Sequence, residues 1–474
     1  MKTLKYPNNQ RTSLLGCLGI RIASSSLQIR GLRFLICTSF GSTLTINSPR
    51  ENVVKFAQDL GSKIEDYGII LENDARISNA GFSQNRTVLG TRLTAALTNL
   101  TMGNGNRKPK LLLIVVPNKN IHTYANIKWW GHCIAGIPTI CISAGVITKT
   151  KNGSTDVGVI SNISLKINFK LGGTSHFLKT QAPESILWAG AKPNTMIVGA
   201  DVSHAGKGRD TACPSMAVVV ATYDERCSQY LASARLQENN IESITDLGDM
   251  IGERLKKYRT VNGALPEHIL FYGDGVSESQ YGMVVTDEIP LIKAGCKAVG
   301  AEAGKGDNWC PKITLLVVGK RHHTRFFPSE EKREKQNHSL ESGLLIDTGV
   351  VTPNHFSFYL QSHDSALGTA KSAHYIVITN ESSYTPEHIQ ETTNNICFTG
   401  SRAFKALSVC TPAKYADILC YRLRCYMKPA LDNQYAQAPR TLGFYRRNDE
   451  IWNAPRQDRT NPWHRNLDNI MFYL

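Results

Sequence analysis

The sequence contains no apolar run long enough to cross a membrane, since a spanning helix needs about 20 consecutive apolar residues. The longest candidates are strand-like runs such as Leu111 to Val116. We therefore expect a soluble protein, and we do not expect a membrane among its partners.

Regularly spaced cysteines are also missing. The 12 cysteines are scattered along the chain, and none of them belongs to a C-x-x-C motif. Disulfide frameworks and zinc-binding modules both depend on regular cysteine spacing. The scatter argues against both classes of protein and favours reduced, intracellular thiols.

Acidic residues are scarce relative to basic ones. The chain has 39 Asp and Glu against 54 Lys and Arg, which gives a formal net charge of +15. Such an excess favours phosphate-rich partners, but it does not separate RNA from DNA or from an anionic membrane surface. Residues 1–50 contain no acidic residue, since Glu51 is the first. This segment resembles an organellar transit peptide, and we prefer the alternative of a basic linker remnant.

The remaining composition is sufficient for large folded domains. With 474 residues, of which 41% are hydrophobic, the chain can form two or three packed domains. Strands are predicted at 111–117 and 138–143, with a helix at 123–135 between them, and this order is a βαβ unit without a Gly-rich fingerprint. An interdomain connection is predicted at 172–194, with the boundary near residue 190.

A strand-rich region follows this boundary. Strands are predicted at 195–202, 216–223, 229–236 and 268–272, with a helix at 241–258 before the last of them. This order is expected of an RNase H-like sheet, although other α/β folds share it. The predicted fold class is therefore α/β, with a Rossmann-like domain followed by an RNase H-like domain.

Two aspartates lie within or directly after apolar strands. Asp201 interrupts a strand, where a buried carboxylate without a cation would be costly, and Asp274 follows another strand. Asp274 and Gly275 alone are typical of a hairpin turn, but Ser277 and Gln280 have the spacing of a capping box and indicate a helix. Taken singly, each aspartate is more often a turn or capping residue than a metal ligand.

Five sequence blocks resemble those of the Argonaute PIWI domain and occur in the same order. They are GADVSH from Gly199, FYGDGVSE from Phe271, VGKRHHTRFF from Val318, FYLQSH from Phe358 and YADILCYR from Tyr415. The resemblance covers about residues 27–474. It implies a basic linker remnant at 1–50, a MID domain at 51–190 and a PIWI domain at 191–474, without counterparts of the family's N-terminal and PAZ domains.

The resemblance implies a catalytic tetrad of carboxylates that bind two Mg²⁺ or Mn²⁺ ions and hydrolyse RNA, leaving 3′-hydroxyl and 5′-phosphate ends. The choice of the glutamate depends on the stretch ESITDL, which begins at Glu242, and the nearby Glu238 and Asp246 are competing choices. Asp417 has a simpler explanation, because an acidic residue near the N-terminus of a helix is electrostatically favourable even when it binds no metal. The four residues, predicted both as catalytic groups and as metal ligands, are Asp201, Glu242, Asp274 and Asp417.

A second set of positions matches residues that hold a guide RNA in the family. Tyr124 and Lys128 lie four residues apart on the first MID helix, and Lys166 and Lys170 have the same spacing. This spacing places both side chains of a pair on one face, although such pairs are most often ordinary amphipathic surface. For the guide 5′-phosphate the resemblance implies Tyr124, Lys128, Lys166, Lys170, Arg402 and Arg422. For the guide backbone it implies Lys320, Arg321, His363, Lys371 and Ser408.

The sequence departs from the family pattern at two informative positions. Ile140 stands where the family's pocket glutamine is usual, and Gly273 replaces the arginine before the second catalytic aspartate. The first departure predicts weaker binding of the guide 5′ end, and the second puts slicing activity in question.

The resemblance implies small-RNA-guided silencing in the cytoplasm, with the nucleus as the alternative. The implied partners are a guide RNA, a complementary target RNA and silencing-complex proteins. Three readings stay open: an active slicer, a non-cleaving guide-RNA binding module, and a guide-independent RNase H-like nuclease.

Overall fold

A computed structural model describes residues 28–30, 32–36, 50–66, 70–72, 76–102, 108–147, 150–151, 154–174, 176, 194–206, 213–224, 226–328, 340–365, 368–401, 405–435, 437–438, 441–452 and 460–474. These residues fall into two compact units. The first unit contains the described residues between 28 and 174, Ala205–Cys213 and Tyr421–Leu474. The second unit contains His176–His204 and Pro214–Cys420. The predicted boundary near residue 190 lies outside the described residues and stays a prediction.

The first unit is built around a parallel sheet with the strand order β4-β2-β5-β6. Its strands are β2 (Leu32–Ile36), β4 (Arg76–Asn79), β5 (Leu111–Val116) and β6 (Thr139–Ser143). Two small pairs accompany it, β1 (Gln28–Arg30) with β3 (Ile70–Glu72), and β7 (Thr150–Lys151) with β8 (Ser154–Thr155). The helices are α1 (Arg50–Asp66), α2 (Arg86–Met102), α3 (Ile121–Trp129), α4 (Ala144–Ile147) and α5 (Val157–Lys170).

The predicted βαβ unit is confirmed. Every residue of β5 is buried, which explains its uninterrupted apolar sequence, because a central parallel strand is covered on both faces. Helix α3 begins where the Asn120 side chain accepts hydrogen bonds from the backbone N–H groups of His122 and Thr123. A π-helical turn, Trp130–Ala135, continues α3 and ends at Gly136, whose φ of 67° is the left-handed conformation typical of a helix end.

The second unit contains an eight-stranded sheet with the order β11-β10-β9-β12-β13-β16-β15-β14. β9 and β12 are parallel to each other, as are β12 and β13, and the other neighbouring pairs are antiparallel. The strands are β9 (Thr195–Ser203), β10 (Ser215–Thr222), β11 (Tyr230–Gln237), β12 (His268–Asp274), β13 (Lys312–Gly319), β14 (Leu344–Ile346), β15 (Ser357–Gln361) and β16 (Ala373–Asn380).

Four longer helices belong wholly or mainly to the second unit. They are α6 (Leu247–Asn262), α7 (Ile289–Glu302), α8 (Pro386–Ile396) and α9 (Thr411–Tyr426), of which α9 is divided between the units after Cys420. Helical turns at Glu278–Gln280, Tyr281–Met283 and Val284–Glu288 lead into α7. In the first unit, α10 (Lys428–Leu431), α11 (Leu442–Arg447) and a 3₁₀ turn (Arg465–Leu467) complete the chain.

Helices α6 and α7 cover one face of the large sheet with a continuous apolar core that includes Met250, Ile292, Phe271 and Val317. The mixed α/β class and the four predicted strands before residue 275 are confirmed, with ends shifted by one or two residues. The prediction of a helix from Ile241 is wrong at its start, since α6 begins at Leu247 and residues 241–246 form a loop. In the described part of the chain, no helix has the length and apolar character needed to span a membrane.

Candidate functional site

The two strand-borne aspartates lie at the same edge of the large sheet. In the parallel pairing of β9 with β12, Ala200 faces Gly273, so Asp201 and Asp274 are the next residues on neighbouring strands. A Cβ atom built on Gly275 would lie 3.5 Å from an oxygen of the Asp201 carboxylate. The carboxyl ends of parallel strands therefore bring the two carboxylates together, as the sequence predicted.

Helix α9 brings Asp417 to the same place. It packs so closely on β9 that a Cβ atom on Gly199 would be 2.2 Å from the carbonyl oxygen of Pro412. Further along the helix, the Cys420 sulfur lies 3.8 Å from the carbonyl oxygen of Asp201. Asp417 lies between these contacts, and its charge raises the pKa of both Asp201 and Asp274. Three of the four predicted catalytic carboxylates are thus brought together.

Lys320, which follows β13, is a cation among these carboxylates. Its ammonium forms an ion pair with the Asp274 carboxylate, whose side chain is 10% exposed. Burial, followed by the charge of Asp274, raises the pKa of Asp201 to about 7, while Lys320 opposes the shift. Burial also raises the pKa of Asp274 despite Lys320. Because Lys414 pairs with the more exposed Asp417, the cluster holds three carboxylates against two lysines.

The donor chemistry of this cluster fits divalent metal ions. Carboxylates are the ligands that Mg²⁺ and Mn²⁺ prefer, and a cation would offset both the burial and the mutual repulsion that raise the pKa values of Asp201 and Asp274. Among the described residues, however, no three Asp, Glu, His or Cys side chains already stand in the geometry of a metal site. Asp201, Asp274 and Asp417 are the side chains that would hold the ions, after Asp274 and Asp417 exchange their lysine partners.

Glu242 lies in the loop between β11 and α6. Its carboxylate is 3.0 Å from Nε2 of His204, and Nδ1 of that histidine is 2.7 Å from the Ser215 hydroxyl. The Gln237 side chain donates hydrogen bonds to the carbonyl oxygens of Ile241 and Ser243, at 2.7 and 2.9 Å. The loop is therefore held on both sides of Glu242. The Glu242 carboxylate contacts His204, and only the three aspartates form the carboxylate cluster.

Three cations predicted to bind a guide 5′-phosphate lie almost fully buried in the first unit. Lys128, Lys170 and Arg422 are 2%, 1% and 2% exposed. Arg422 donates to the Tyr124 hydroxyl at 3.0 Å and to the carbonyl oxygen of Tyr473 at 3.1 Å. Lys128 donates to the carbonyl and hydroxyl oxygens of Thr139 at 2.6 and 2.9 Å, and Lys170 donates to the carbonyl oxygen of Phe472.

His132 shows that these cations share one electrostatic environment. It is fully buried, and burial together with the charges of Arg422, Lys128 and Lys170 lowers its pKa well below the usual value. Its Nδ1 lies 2.7 Å from the Tyr426 hydroxyl, while its Nε2 and the Nε of Arg422 are buried and have no hydrogen-bond partner among the described residues. Buried positive charge around a neutral imidazole favours an anionic ligand. The four residues Tyr124, Lys128, Lys170 and Arg422 are hereafter the cationic pocket.

The remaining predicted residues are less informative. Lys166 lies partly buried on α5, and Arg402 lies outside the described residues. In the second unit Arg321, Lys371 and Ser408 are exposed, and His363 is partly buried, with its pKa lowered by burial. Their contacts with a guide backbone stay predictions. The place of Lys320 beside Asp274 was not expected from the sequence.

Nothing in the sequence indicated Arg86, whose side chain joins distant segments of the first unit. The Arg86 guanidinium donates to the carbonyl oxygens of Cys425 and Tyr426, at 3.0 and 2.9 Å, and to the Asn126 side chain at 3.1 Å. Arg86 and Tyr426 are 340 residues apart in the sequence, so no local pattern could have indicated this contact. His204, by contrast, belongs to the GADVSH block, which could have drawn attention to it.

Comparisons with known proteins agree with this architecture. A family model described as the Piwi domain matches residues 111–428. Protein argonaute 5 of Arabidopsis thaliana is 33% identical over 341 residues, which are 68% of this chain and 33% of that protein. Protein argonaute 2 of Oryza sativa subsp. japonica is 34% identical over 337 residues, 71% of this chain and 31% of that protein. The chain thus spans about a third of the length of the curated relatives that it matches.

Solved structures show the same fold. The C-terminal lobe of a budding yeast Argonaute has a TM-score of 0.79 and 23% identity, over 95% of this chain and 86% of that chain. Kluyveromyces polysporus Argonaute with a guide RNA has a TM-score of 0.77 and 24% identity, over 95% of this chain and 51% of that chain. The MID-PIWI domains of N. crassa QDE-2 have a TM-score of 0.62 and 23% identity, over 94% and 98% of the two chains.

Together, the fold, the carboxylate cluster and the family model define a Piwi-domain protein. The chain belongs to the Argonaute family, and its fold is that of the MID-PIWI lobe, as the sequence blocks predicted.

Proposed function

We propose that the chain binds a 5′-phosphorylated small RNA and cleaves RNA complementary to it, as a guided, metal-dependent endoribonuclease in the cytoplasm. The observation that carries this proposal is the convergence of three aspartates, Asp201, Asp274 and Asp417, from two neighbouring strands and one helix. Carboxylates converging from separate elements are what two-metal hydrolysis of a phosphodiester needs.

Each part of the cluster has a chemical task in the proposed reaction. Two bound divalent ions would supply an activated water and stabilise the leaving 3′ oxygen. Asp201 and Asp274, on adjoining strands, would fix the positions of the ions, and Asp417 would add a ligand from α9. Lys320 would leave Asp274 as the ions bind, which frees its ammonium for a phosphate of the guide. Glu242 would complete the set by exchanging His204 for a metal ion or its water.

The cationic pocket supports the guided part of the proposal. A 5′-phosphate carries up to two negative charges, and Lys128, Lys170 and Arg422 place three buried positive charges around His132. The phenol of Tyr124 fixes the orientation of the Arg422 guanidinium by accepting its hydrogen bond. Charge-assisted hydrogen bonds in such a buried setting are stronger than those at a surface.

The test is single-turnover cleavage of a matched RNA by the purified chain, loaded with a guide that carries a 5′-phosphate. We expect Mg²⁺-dependent cleavage at one phosphate, and a loss of at least about a thousandfold in rate for Asp274→Ala, equivalent to about 4 kcal/mol. The matched control is Glu278→Ala, because Glu278 is an exposed acid in the helical turn that follows Asp274. Equal cleavage by both variants would overturn the proposal.

A second candidate is a guide-RNA binding module that acts by occupancy and by recruitment of silencing proteins. It is favoured by the 3.0 Å contact of the Glu242 carboxylate with Nε2 of His204, which holds this carboxylate apart from the cluster of three aspartates. Binding and cleavage assays on the same purified chain distinguish the two candidate functions. Tight binding of 5′-phosphorylated guide without cleavage at any Mg²⁺ or Mn²⁺ concentration supports the module, whereas cleavage of hybrids without a guide supports an unguided nuclease.

A further inference from the structure

The guanidinium of Arg86 caps the end of α9. Arg86 is the first residue of α2. Its side chain donates hydrogen bonds to the carbonyl oxygens of Cys425 and Tyr426, the last two residues of α9, and to that of Glu450. Positive charge is unfavourable at the N-terminus of its own helix but favourable at the C-terminus of another, where carbonyl groups lack helical partners. The end of α9 therefore explains where this side chain lies.

The same guanidinium contacts one side of α3. Its Nε donates to the Asn126 side chain at 3.1 Å, and its central carbon lies 4.9 Å from the centre of the Trp129 ring. Asn126 and Trp129 are three residues apart and therefore lie on one side of the helix. The Asn126 amide also donates to the carbonyl oxygen of Gln84 at 2.8 Å, which orients its accepting oxygen. Arg86 thus links α3 to the end of α9.

The opposite side of α3 carries two members of the cationic pocket. Tyr124 and Lys128 are each two residues from Asn126, which corresponds to about 200° around the helix axis. The Lys128 ammonium lies 5.2 Å from the centre of the Tyr124 ring, and the central carbon of Arg422 lies 5.5 Å from the same point. Arg422 is one helical turn before the end of α9. The two helices that Arg86 links are therefore the two that meet in the pocket.

We propose that Arg86 is a positioning residue for the binding of a guide 5′-phosphate, an inference that rests on the proposed function. Its guanidinium already donates to four oxygen atoms, so it acts without contacting the phosphate. By holding α3 and α9 in one relative position, it keeps the Tyr124 hydroxyl 3.0 Å from the Arg422 guanidinium. A binding site loses strength when its groups shift by more than about 0.5 Å. A looser link between the helices should therefore weaken binding of the phosphate more than binding of the rest of the guide.

The experiment measures the dissociation constants of two guides, one with a 5′-phosphate and one with a 5′-hydroxyl, by filter binding to the full chain. We expect the wild type to prefer the phosphorylated guide, and Arg86→Lys to lose at least about tenfold of this preference, the effect of one hydrogen bond to a charged group. Lysine keeps the charge but not the forked donors, so the variant separates geometry from charge. Asn126→Ala removes the oxygen on α3 that accepts from Arg86 and should act in the same direction. Arg92→Lys is the matched control, because Arg92 is exposed on α2 and donates to the carbonyl oxygen of Phe82.

A double-mutant cycle separates positioning from a general loss of stability. Tyr124→Phe removes the hydroxyl that accepts from Arg422, so Arg86→Lys should cost less of the phosphate preference in this background. A smaller folded fraction would weaken the binding of both guides equally and leave their ratio unchanged. Thermal unfolding shows which variants are folded, and Asn126→Ala decides alone should Arg86→Lys be unfolded.

Two kinds of failure are distinguishable in these titrations. If the wild type binds both guides equally, the proposed function is wrong and this inference falls with it. If the wild type prefers the phosphate but Arg86→Lys keeps the wild-type ratio, only the inference is wrong. An equal loss in Arg92→Lys, or the same loss with and without the Tyr124 hydroxyl, contradicts the inference as well.

Discussion

Glu288 accepts a hydrogen bond of 3.2 Å from the backbone N–H of Ile244, although the two residues are 44 positions apart. Ile244 is 2% exposed and packs in the apolar core beneath α6 and α7. Glu288 is 5% exposed, at the end of the helical turns that precede α7. The loop that carries Glu242 is therefore fastened to the core directly after that residue.

Glu288 should make the stability of the protein depend on pH. Burial raises its pKa from 4.5 to about 7, so the folded protein binds this proton more tightly than the unfolded chain. The stabilising contribution is complete below about pH 4.5 and is lost as the pH rises through about 7. Glu288→Gln keeps an oxygen acceptor and cannot ionise, so it should lose less stability between pH 5 and 8, by at most about 3 kcal/mol.

Urea unfolding of wild type and Glu288→Gln at several pH values measures this difference. Glu278→Gln, at an exposed acid of the preceding turn, is the control and should follow the wild-type curve. If the Glu288→Gln and wild-type curves stay parallel across this range, Glu288 is ionised in the folded protein and the prediction is wrong.

Gln237 should govern the order of the Glu242 loop. Gln237→Leu removes the donor to the carbonyl oxygens of Ile241 and Ser243, and we expect a loss of about 2 kcal/mol in unfolding free energy. Hydrogen exchange should accelerate in residues 238–246. Under the proposed function the cleavage rate should fall while guide affinity is kept.

The exposed residue Arg259 of α6 provides the control, as Arg259→Gln. Unchanged exchange in Gln237→Leu would contradict the anchoring role, whatever the outcome of the cleavage assay. Faster exchange with an unchanged cleavage rate would instead show that the loop is anchored but that Glu242 is not needed for hydrolysis.

Lys320 should compete with metal ions for Asp274. Lys320→Met removes the ammonium from the ion pair, so Mn²⁺ should bind the carboxylate cluster about tenfold more tightly in the absence of RNA. The measurement is the rise of the unfolding temperature with Mn²⁺ concentration. Lys414→Met is the matched variant, because Lys414 pairs with Asp417 at 2.7 Å in a more exposed position. A smaller effect is expected there, and an equal or larger effect would contradict the prediction.

Gly199 should be required for the contact between α9 and β9. Gly199→Ala places a methyl group 2.2 Å from the carbonyl oxygen of Pro412, so the helix must shift and carry Asp417 with it. We expect a loss of about 2 kcal/mol in stability and weaker metal binding. Gly282→Ala is the control, because its added Cβ has no neighbouring atom within 4 Å. Equal unfolding temperatures for the two variants would show that the contact is not tight.

The strands that carry Asp201 and Asp274 were predictable because a buried parallel strand is continuously apolar and a polar residue at its end stands out. The capping box at Ser277 and Gln280 was also predictable, since such a cap depends on residues three positions apart. Local patterns of this kind indicated where the aspartates lie on their elements. The sequence blocks indicated that these elements belong together.

Contacts between distant segments could not be predicted in this way. Residues 241–246 look helical by composition, but Gln237 and Glu288 bind their backbone groups and hold them in a loop. The partners of Arg86, and the place of His132 among three cations, depend on contacts with the end of the chain. Such contacts leave no periodic or spacing signal near either partner.

The charges around His132 also bear on how long a molecule of this protein survives. The cationic pocket keeps like charges close together in a medium that screens them poorly, which makes the folded form less stable. An occupying phosphate would remove that repulsion and stabilise only the folded form. Under the proposed function, molecules that carry a 5′-phosphorylated RNA should therefore resist heat and proteases longer than molecules without one.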